Sequence, residues 1–264
     1  MAAEGEVTPM PDHAIFADTG DEPAEVYGWL DWLERRLPFP VIRTRRDNQQ
    51  TLGEFSLNLV HSKRTPGKIC MQALVPAFVI QANKRVGLLG RRCTGDYKID
   101  PIHREIRRLL GVKSFRGKQV QCVQWMGISR DEMGRMKTSM KPSIEFRYPL
   151  IEKRMSRQDC LHWMEARAYP TPPRSACRYC PFHNDNEWVR LRDQMPEEFE
   201  LAAKFEDDLN RVLKQQNSLQ ADAIRLHSSG LPLRECTFPK AAEHREDQMD
   251  LFGFQQECEG MCGI

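Results

Sequence analysis

At 264 residues the chain is long enough for one large domain, or a domain with an appendage, whose core needs no covalent staples. Charged residues make up 29% of it but the net charge is only +2, so the total singles out no polyanionic partner, and only the clustering of basic residues at Arg43–Arg46, Lys63–Lys68, Lys84–Arg92 and Arg104–Arg108 points to phosphate or nucleic-acid contact. No stretch approaches the roughly 20 apolar residues of a membrane span, and the first residues have neither the basic nor the apolar region of a signal peptide. These features predict a cytoplasmic protein with no membrane partner, in which nine cysteines read as core thiols plus a metal or redox site rather than a disulfide framework.

In chain order, His13 to Ala17 reads as a short buried strand. Asp18-Thr19-Gly20 turns it, and Val26, Leu30, Leu33 and Leu37 give a helix from about Pro23 to Leu37 with Asp21 and Glu22 at its positive end. Pro38 and Pro40 stop that helix, and Val41 to Thr44 is the next strand. The βαβ order predicts a parallel sheet. Residues 47–92 are interrupted by Pro66, Gly67, Pro76, Gly87 and Gly90 and are expected to form a mobile basic region. A helix over Ile99–Leu110, which Pro101 opens and Gly111 ends, follows, then a strand and its turn over Gln119–Ile128 and a charged segment to Lys137. Ser156 with Asp159 reads as a capping box for another helix, and Asn184–Glu206 is helical again.

Four motifs carry candidate chemistry. Asp18, Thr19 and Gly20 end a strand at the edge where open α/β sheets bind ligands. Arg92 and Lys98 precede the helix that Pro101 opens, an arrangement suited to an anion. Cys93 sits beside them, as a site residue or a buried thiol, with Asp96 between. Gly127 to Glu132, followed by Arg135 and Lys137, lies after the next strand. Cys177-Arg178-Tyr179-Cys180 is a C-x-x-C turn suited to zinc or an iron–sulfur cluster. Further ligands could come from Cys160 or the Cys258/Cys262 pair, and Arg174 and Arg178 would favour the thiolates. A redox dithiol or structural thiols are the other readings. Cys70, Cys122 and Cys236 read as core or incidental residues.

Taken in order, Phe16 to Gly20, Cys93 to Pro101 with its Lys98-Ile99-x-Pro101 core, Gly127 to Glu132, and Tyr148-Pro149-Leu150-Ile151 resemble the phosphoadenosine phosphosulfate reductase family. That family belongs to the adenine nucleotide alpha-hydrolase-like superfamily, and the resemblance covers roughly residues 12–165. The segment from Cys177 onward is similar to phage and prophage reductase-like proteins. The resemblance implies an α/β fold with an open, mostly parallel sheet over residues 1–155, and a helical cysteine-bearing region over 156–264. It implies an adenine nucleotide, ATP or a sulfonucleotide, bordered by Asp18, Thr19 and Gly20 and held by Arg92 and Lys98, with Arg130 and Arg135 toward the substrate. Cys93, Asp96 and Lys98 become the candidate catalytic residues. Cys160, Cys177, Cys180, Cys258 and Cys262 become the candidate ligands of an iron–sulfur cluster or zinc. The implied activity is nucleotide-dependent sulfur transfer or sulfonucleotide chemistry, with a nucleic acid as a candidate substrate and a sulfur-donor protein as a candidate partner. The alternative is a non-catalytic, metal-stabilised nucleic-acid-binding module. The family opens with a strand and a Gly/Ser-rich phosphate loop, and no such loop precedes residue 13. The domain is therefore expected to be N-terminally truncated, with Asp18–Gly20 as the second ligand turn of the fold.

Overall fold

The computed structural model describes residues 1–47, 49–117, 119–239 and 241. It opens with the expected unit: β1 (Ala14–Ala17), α1 (Ala24–Arg36) and β2 (Val41–Thr44). The strands pair in parallel, Ala14 opposite Val41 through Ala17 opposite Thr44. Val26 and Leu30, one helical turn apart, form the buried stripe of α1, and the prolines beyond Leu37 cannot continue the helical ladder.

Residues 49–92 hold regular elements rather than one irregular loop. They form α2 (Leu52–Ser56), an antiparallel pair of β3 (Leu59–His61) with β4 (Ile69–Met71), and another of β5 (Phe78–Ile80) with β6 (Val86–Leu88). Thr51 caps α2 by accepting from the Glu54 N–H, while the Glu54 carboxylate accepts from the Thr51 N–H. Leu52, Leu74, Val75 and Ala77 are buried in the main core. The prolines and glycines that suggested mobility sit between short strands, where turn chemistry places them.

A π-helical turn, Thr94–Ile99, runs directly into α3 (Asp100–Leu110), which ends at Gly111 in the left-handed region with φ +66°. Pro101 therefore lies inside a continuous helical stretch and does not open a helix, which removes the helix-terminus anion site expected there. Beyond it lie β7 (Cys122–Trp125), a 3-10 segment Arg130–Arg135, β8 (Ile144–Arg147), α4 (Pro149–Glu152) and α5 (Arg157–Glu165). β7 and β8 make a second parallel pair, from Cys122 opposite Ile144 to Trp125 opposite Arg147. The Ser156–Asp159 capping box of α5 is present as expected. The next helical stretch is two helices, α6 (Asp185–Gln194) and α7 (Pro196–Leu213), divided where Pro196 restarts the ladder. β9 (Ala223–Arg225) then pairs antiparallel with β5.

The result is a mixed α/β protein with parallel pairs. Among the described residues the strands form four small sheets, β1-β2, β3-β4, β6-β5-β9 and β7-β8, in place of one continuous open sheet. The β5–β9 pairing and a single core cluster, running from Leu52, Leu74 and Tyr97 to Trp188, Leu209 and Ile224, join residues on both sides of the expected division at 155/156. A cavity of about 610 Å³ is lined by residues of β1, β7 and β8, by the end of the π-helical turn and the start of α3, by the 137–141 loop and by Ser175. No helix among the described residues is long and apolar enough to cross a membrane.

Candidate functional site

Three of the sequence motifs converge at the carboxyl end of β1. The turn leaving β1 is built by Asp18, whose carboxylate accepts from the Gly20 N–H at 2.8 Å, the Tyr27 hydroxyl at 2.8 Å and the Arg45 guanidinium at 2.6 Å. Asp18 is buried and both its oxygens are engaged, so it holds the turn in shape and offers no open oxygen to a ribose or a metal. Gly20 adopts φ +78°, and a Cβ on it would stand 2.7 Å from Thr51 Cγ2. Its close approach is to the start of α2 rather than to an open ligand space.

The C-x-x-C turn docks onto this loop. The Arg178 N–H donates to the Asp21 carbonyl at 3.0 Å, and its guanidinium donates to the Glu22 carbonyl at 2.9 Å and lies 3.1 Å from Glu198. The Tyr179 hydroxyl donates to the Asp21 carboxylate, which also accepts from the Gly53 N–H at 2.8 Å. Arg178 and Tyr179 thereby bring Cys177 to Thr19 and Glu22. Cys177 Sγ is 3.4 Å from Thr19 Oγ1 and 3.9 Å from Glu22 Oε1, and Thr19 donates to the same carboxylate oxygen at 3.3 Å. Glu22 Oε2 is buried with no hydrogen-bond partner.

Burial dominates the electrostatics of this cluster. It pushes the Cys177 thiol well above the ordinary thiol range, helped by Glu22 and opposed by Lys98. It also raises the Glu22 carboxyl, again against Lys98 and the Thr19 hydroxyl. Cys93 belongs to the same electrostatic neighbourhood, since its charge would raise Cys177 further. Thr19, Glu22, Cys93, Lys98 and Cys177 thus form one group in which a thiol and a carboxyl are both held toward their neutral forms. His183 supports it from behind. Its Nε2 lies 3.0 Å from the Cys177 carbonyl, its ring stands edge-on to Trp188, and burial holds it neutral with a value lowered to about 3.

The other expected residues lie in different surroundings. Asp96 sits between Arg92 at 3.2 Å and Arg46 at 3.6 Å, a surface ion-pair set. Arg135 pairs with Glu132, and Arg130 is exposed with its N–H bonded to the Met155 carbonyl. Cys160 lies on α5, where burial and the carboxylates Asp159 and Asp131 raise its thiol. Cys180 shares the turn with Cys177 through its N–H to the Cys177 carbonyl, at 2.9 Å. Cys258 and Cys262 fall outside the described residues. Among the described residues no three His, Cys, Asp or Glu side chains group to hold a metal ion. Arg178 does not favour a thiolate at Cys177, because backbone carbonyls and Glu198 take up its guanidinium. Arg174 reaches only the Phe182 carbonyl, at 3.4 Å.

The basic run at Arg43–Arg46 is paired with carboxylates of the same chain, Arg43 and Arg45 at the surface. Arg43 pairs with Asp31 and Glu34, Arg45 with Asp18 and Arg46 with Asp96, while Arg104 pairs with Asp47.

Glu22, Tyr27, Arg45 and Tyr179 were not singled out by sequence reasoning. Asp21 and Glu22 carried a signal, two carboxylates just before a helix-opening proline, which reads as dipole compensation. In the structure the N-terminus of α1 is served by Glu198 instead, through the Ala24 N–H at 3.0 Å, and Asp21 and Glu22 turn to the C-x-x-C side. Comparison of the chain with protein-family models, curated proteins and solved structures gave no match, so the chemistry of the site rests on its own geometry.

Proposed function

We propose that this chain is a phosphoadenosine phosphosulfate reductase-like protein that binds an adenine nucleotide at the carboxyl end of β1 and acts in nucleotide-dependent sulfur transfer. The observation that carries this reading is the meeting of Cys177 with Thr19, Glu22 and Lys98, contributed by three separate motifs. A thiol beside the expected ligand turn is what sulfur chemistry on a bound nucleotide requires, and a surface-stabilising C-x-x-C would not need to be placed there.

In this reading the nucleotide supplies an activated phosphate or sulfate. Lys98 provides positive charge beside it, and the Thr19 hydroxyl offers a donor once a ligand displaces its present contacts. Cys177 is the nucleophile: its sulfur bonds to the sulfur of a bound sulfonucleotide as the bond from that sulfur to the phosphate oxygen breaks, the nucleotide leaves as its phosphate, and the thiol proton passes to Glu22 Oε1, 3.9 Å away, when that carboxyl is ionised. Burial holds both groups toward their neutral forms, so the thiol is protected until an added charge or a water shell favours ionisation. The nucleic-acid-binding alternative gains no support from the Arg43–Arg46 run, whose guanidiniums are largely neutralised within the chain.

The test is equilibrium binding of ATP and of adenosine 3′-phosphate 5′-phosphosulfate, with Lys98→Ala and Cys177→Ser variants and with desulfurisation or sulfite release as the activity readout. Saturable binding weakened by Lys98→Ala, with turnover lost in Cys177→Ser, supports the proposal. Absence of binding by either nucleotide at millimolar concentration overturns it.

A further inference from the structure

A second set of polar side chains meets outside the Cys177 cluster, between the start of α6 and the loop after β9. His227 follows the fully buried Leu226 out of β9 and is itself buried. Its Nε2 lies 3.1 Å from Asp185 Oδ1, and its Nδ1 lies 2.8 Å from Ser229 Oγ. The Ser229 N–H also reaches Nδ1, at 3.2 Å. That N–H can only donate, so Nδ1 carries the lone pair and the ring proton sits on Nε2, facing the Asp185 carboxylate. The Ser229 hydroxyl has one proton, and Nδ1 is its nearest acceptor. The Leu231 N–H, 3.3 Å from Oγ, can only donate to it, and Cys236 Sγ is farther, at 3.5 Å. A carboxylate, an imidazole and a hydroxyl are thus joined in line, with each shared proton pointing toward the carboxylate.

Exposure rises along the same line. The Asp185 and His227 side chains are 12% and 7% exposed, while Ser229 lies at the surface, as does Ser228 before it. Gly230, at φ +76° and with its N–H on the His227 carbonyl, closes the turn that holds Ser229 out. A surface hydroxyl is satisfied by water and needs no imidazole. A desolvated carboxylate–imidazole pair aimed at such a hydroxyl is the arrangement that makes it a nucleophile.

We propose that Ser229 is the nucleophile of a second catalytic centre, with His227 as its general base and Asp185 positioning the imidazole, and that this centre takes acyl groups from activated esters, aryl esters and thioesters. Ser229 Oγ bonds to the acyl carbon as the bond from that carbon to the leaving oxygen or sulfur breaks. The hydroxyl proton passes to His227 Nδ1 and from there to the leaving group. Water then attacks the acyl-serine by the same route, which releases the carboxylic acid and restores the hydroxyl. The restriction to activated esters follows from the backbone. The Gly230 and Leu231 N–H groups beside Oγ are engaged by the His227 carbonyl and by Oγ itself, so neither is aimed at a developing oxyanion. Such a donor is worth about 10²–10³-fold, and a good leaving group makes up for its loss. The centre shares no residue with the Cys177 cluster and is independent of nucleotide binding there.

The test treats the 264-residue protein with an alkyl fluorophosphonate, which phosphonylates activated serines with loss of fluoride, and separately with p-nitrophenyl acetate quenched in acid. Tandem mass spectrometry of the peptide that holds both serines reads the site, and Ser228 is the internal control for exposure. Both probes are expected on Ser229 at least about tenfold above Ser228, and His227→Gln should lower the Ser229 labelling by about 10²-fold, the smaller end of a general base's contribution. Asp185→Asn should slow labelling and, in NMR of the ring nitrogens, deplete the Nε2–H form, with both recovered in Asp185→Glu. A residue that only held the loop would leave the tautomer unchanged. Labelling of Ser228 and Ser229 alike, or of neither, overturns the proposal. So does a His227→Gln variant that keeps the native circular dichroism and labels Ser229 at the wild-type rate. If that variant does not fold, the comparison with Ser228 in the wild type decides alone.

Discussion

Cys177 Sγ lies 3.4 Å from Thr19 Oγ1, a contact between residues 158 positions apart in the chain. It exists because Arg178 and Tyr179 fasten the C-x-x-C turn to the backbone and carboxylate of Asp21. The thiol therefore looks inward, toward Thr19 and Glu22, and its reactivity is governed by burial. Alkylation by iodoacetamide at neutral pH should modify the half-buried Cys180 well before Cys177. Cys177 should react only as pH rises beyond the usual thiol range, or after unfolding. Peptide mapping by mass spectrometry reads the order, and equal labelling of the two cysteines at neutral pH would contradict the buried geometry.

The Thr19 hydroxyl serves three neighbours: it donates to Glu22, lies against Cys177, and accepts from the Asp21 N–H at 3.3 Å. Thr19→Val keeps the shape and deletes the hydroxyl, leaving a buried carboxyl and an N–H with fewer partners. The expected loss is about 1–3 kcal/mol of stability, read as a lowered denaturant midpoint at unchanged m-value. Thr19→Ser retains the hydroxyl and should recover most of it. A neutral Thr19→Val would mean that the cluster is solvated.

Glu22 and His183 impose opposite pH dependences on stability. Burial raises the Glu22 carboxyl, so the folded state holds that proton more tightly than the unfolded chain does. The stabilising contribution is complete at low pH and is lost as pH rises from the ordinary carboxylate range through the raised folded value. Glu22→Gln removes this loss. The variant should match the wild type near pH 4 and exceed it in melting temperature at pH 7. A wild type that gains stability over the variant as pH rises would reverse the sign and refute the buried, neutral carboxyl.

His183 works the other way. Its value is lowered to about 3, chiefly by burial and then by Arg174, so the unfolded chain takes up a proton near pH 6.5 that the folded state refuses. Stability should therefore fall as pH drops below about 6.5, by on the order of several kcal/mol over the full interval. NMR of the ring should show the Nε2–H form, donating to the Cys177 carbonyl, with no titration between pH 5 and 8. A midpoint near 6.5 would place the ring in solvent.

These relationships were legible in the sequence to different depths. β1, α1, β2 and their parallel pairing were readable because each element repeats its apolar residues at its own period and prolines mark the ends. Asp18-Thr19-Gly20, Lys98 and Cys177 stood out as motifs, but nothing local to any of them says that they meet. The meeting depends on Tyr179 and Arg178, which look like ordinary neighbours of two cysteines. Residues 47–92 were misread because their strands are three residues long, too short for alternation to emerge from the surrounding turns. β8 (Ile144–Arg147) was hidden because its four residues alternate apolar with charged between Pro142 and Pro149, where turn signals dominate. The helix read over Ile99–Leu110 is present as α3 (Asp100–Leu110) with Pro101 in its first turn, but nothing in the sequence signalled the π-helical turn Thr94–Ile99 that leads into it.

Gly20 offers the sharpest test of how the ligand turn is held. Two constraints coincide there. The backbone stands at φ +78°, which a Cβ disfavours, and a Cβ would lie 2.7 Å from Thr51 Cγ2 and 3.0 Å from Thr51 Cβ. Thr51 cannot retreat freely, because it caps α2 and its carbonyl accepts from the Tyr97 hydroxyl at 3.1 Å. Gly20→Ala should therefore cost about 1–3 kcal/mol from the backbone alone, with the contact adding to it. Thr51→Gly in the same chain relieves the contact but not the dihedral, and glycine still serves moderately as an N-cap. The double variant should accordingly recover part of the loss beyond what Thr51→Gly costs by itself, a positive coupling in a double-mutant cycle. Full additivity would show that the turn and the start of α2 do not touch. Since that contact sets the position of Thr19 between them, the same cycle scored by Cys177 alkylation should show the thiol becoming accessible in Gly20→Ala and shielded again in the double variant.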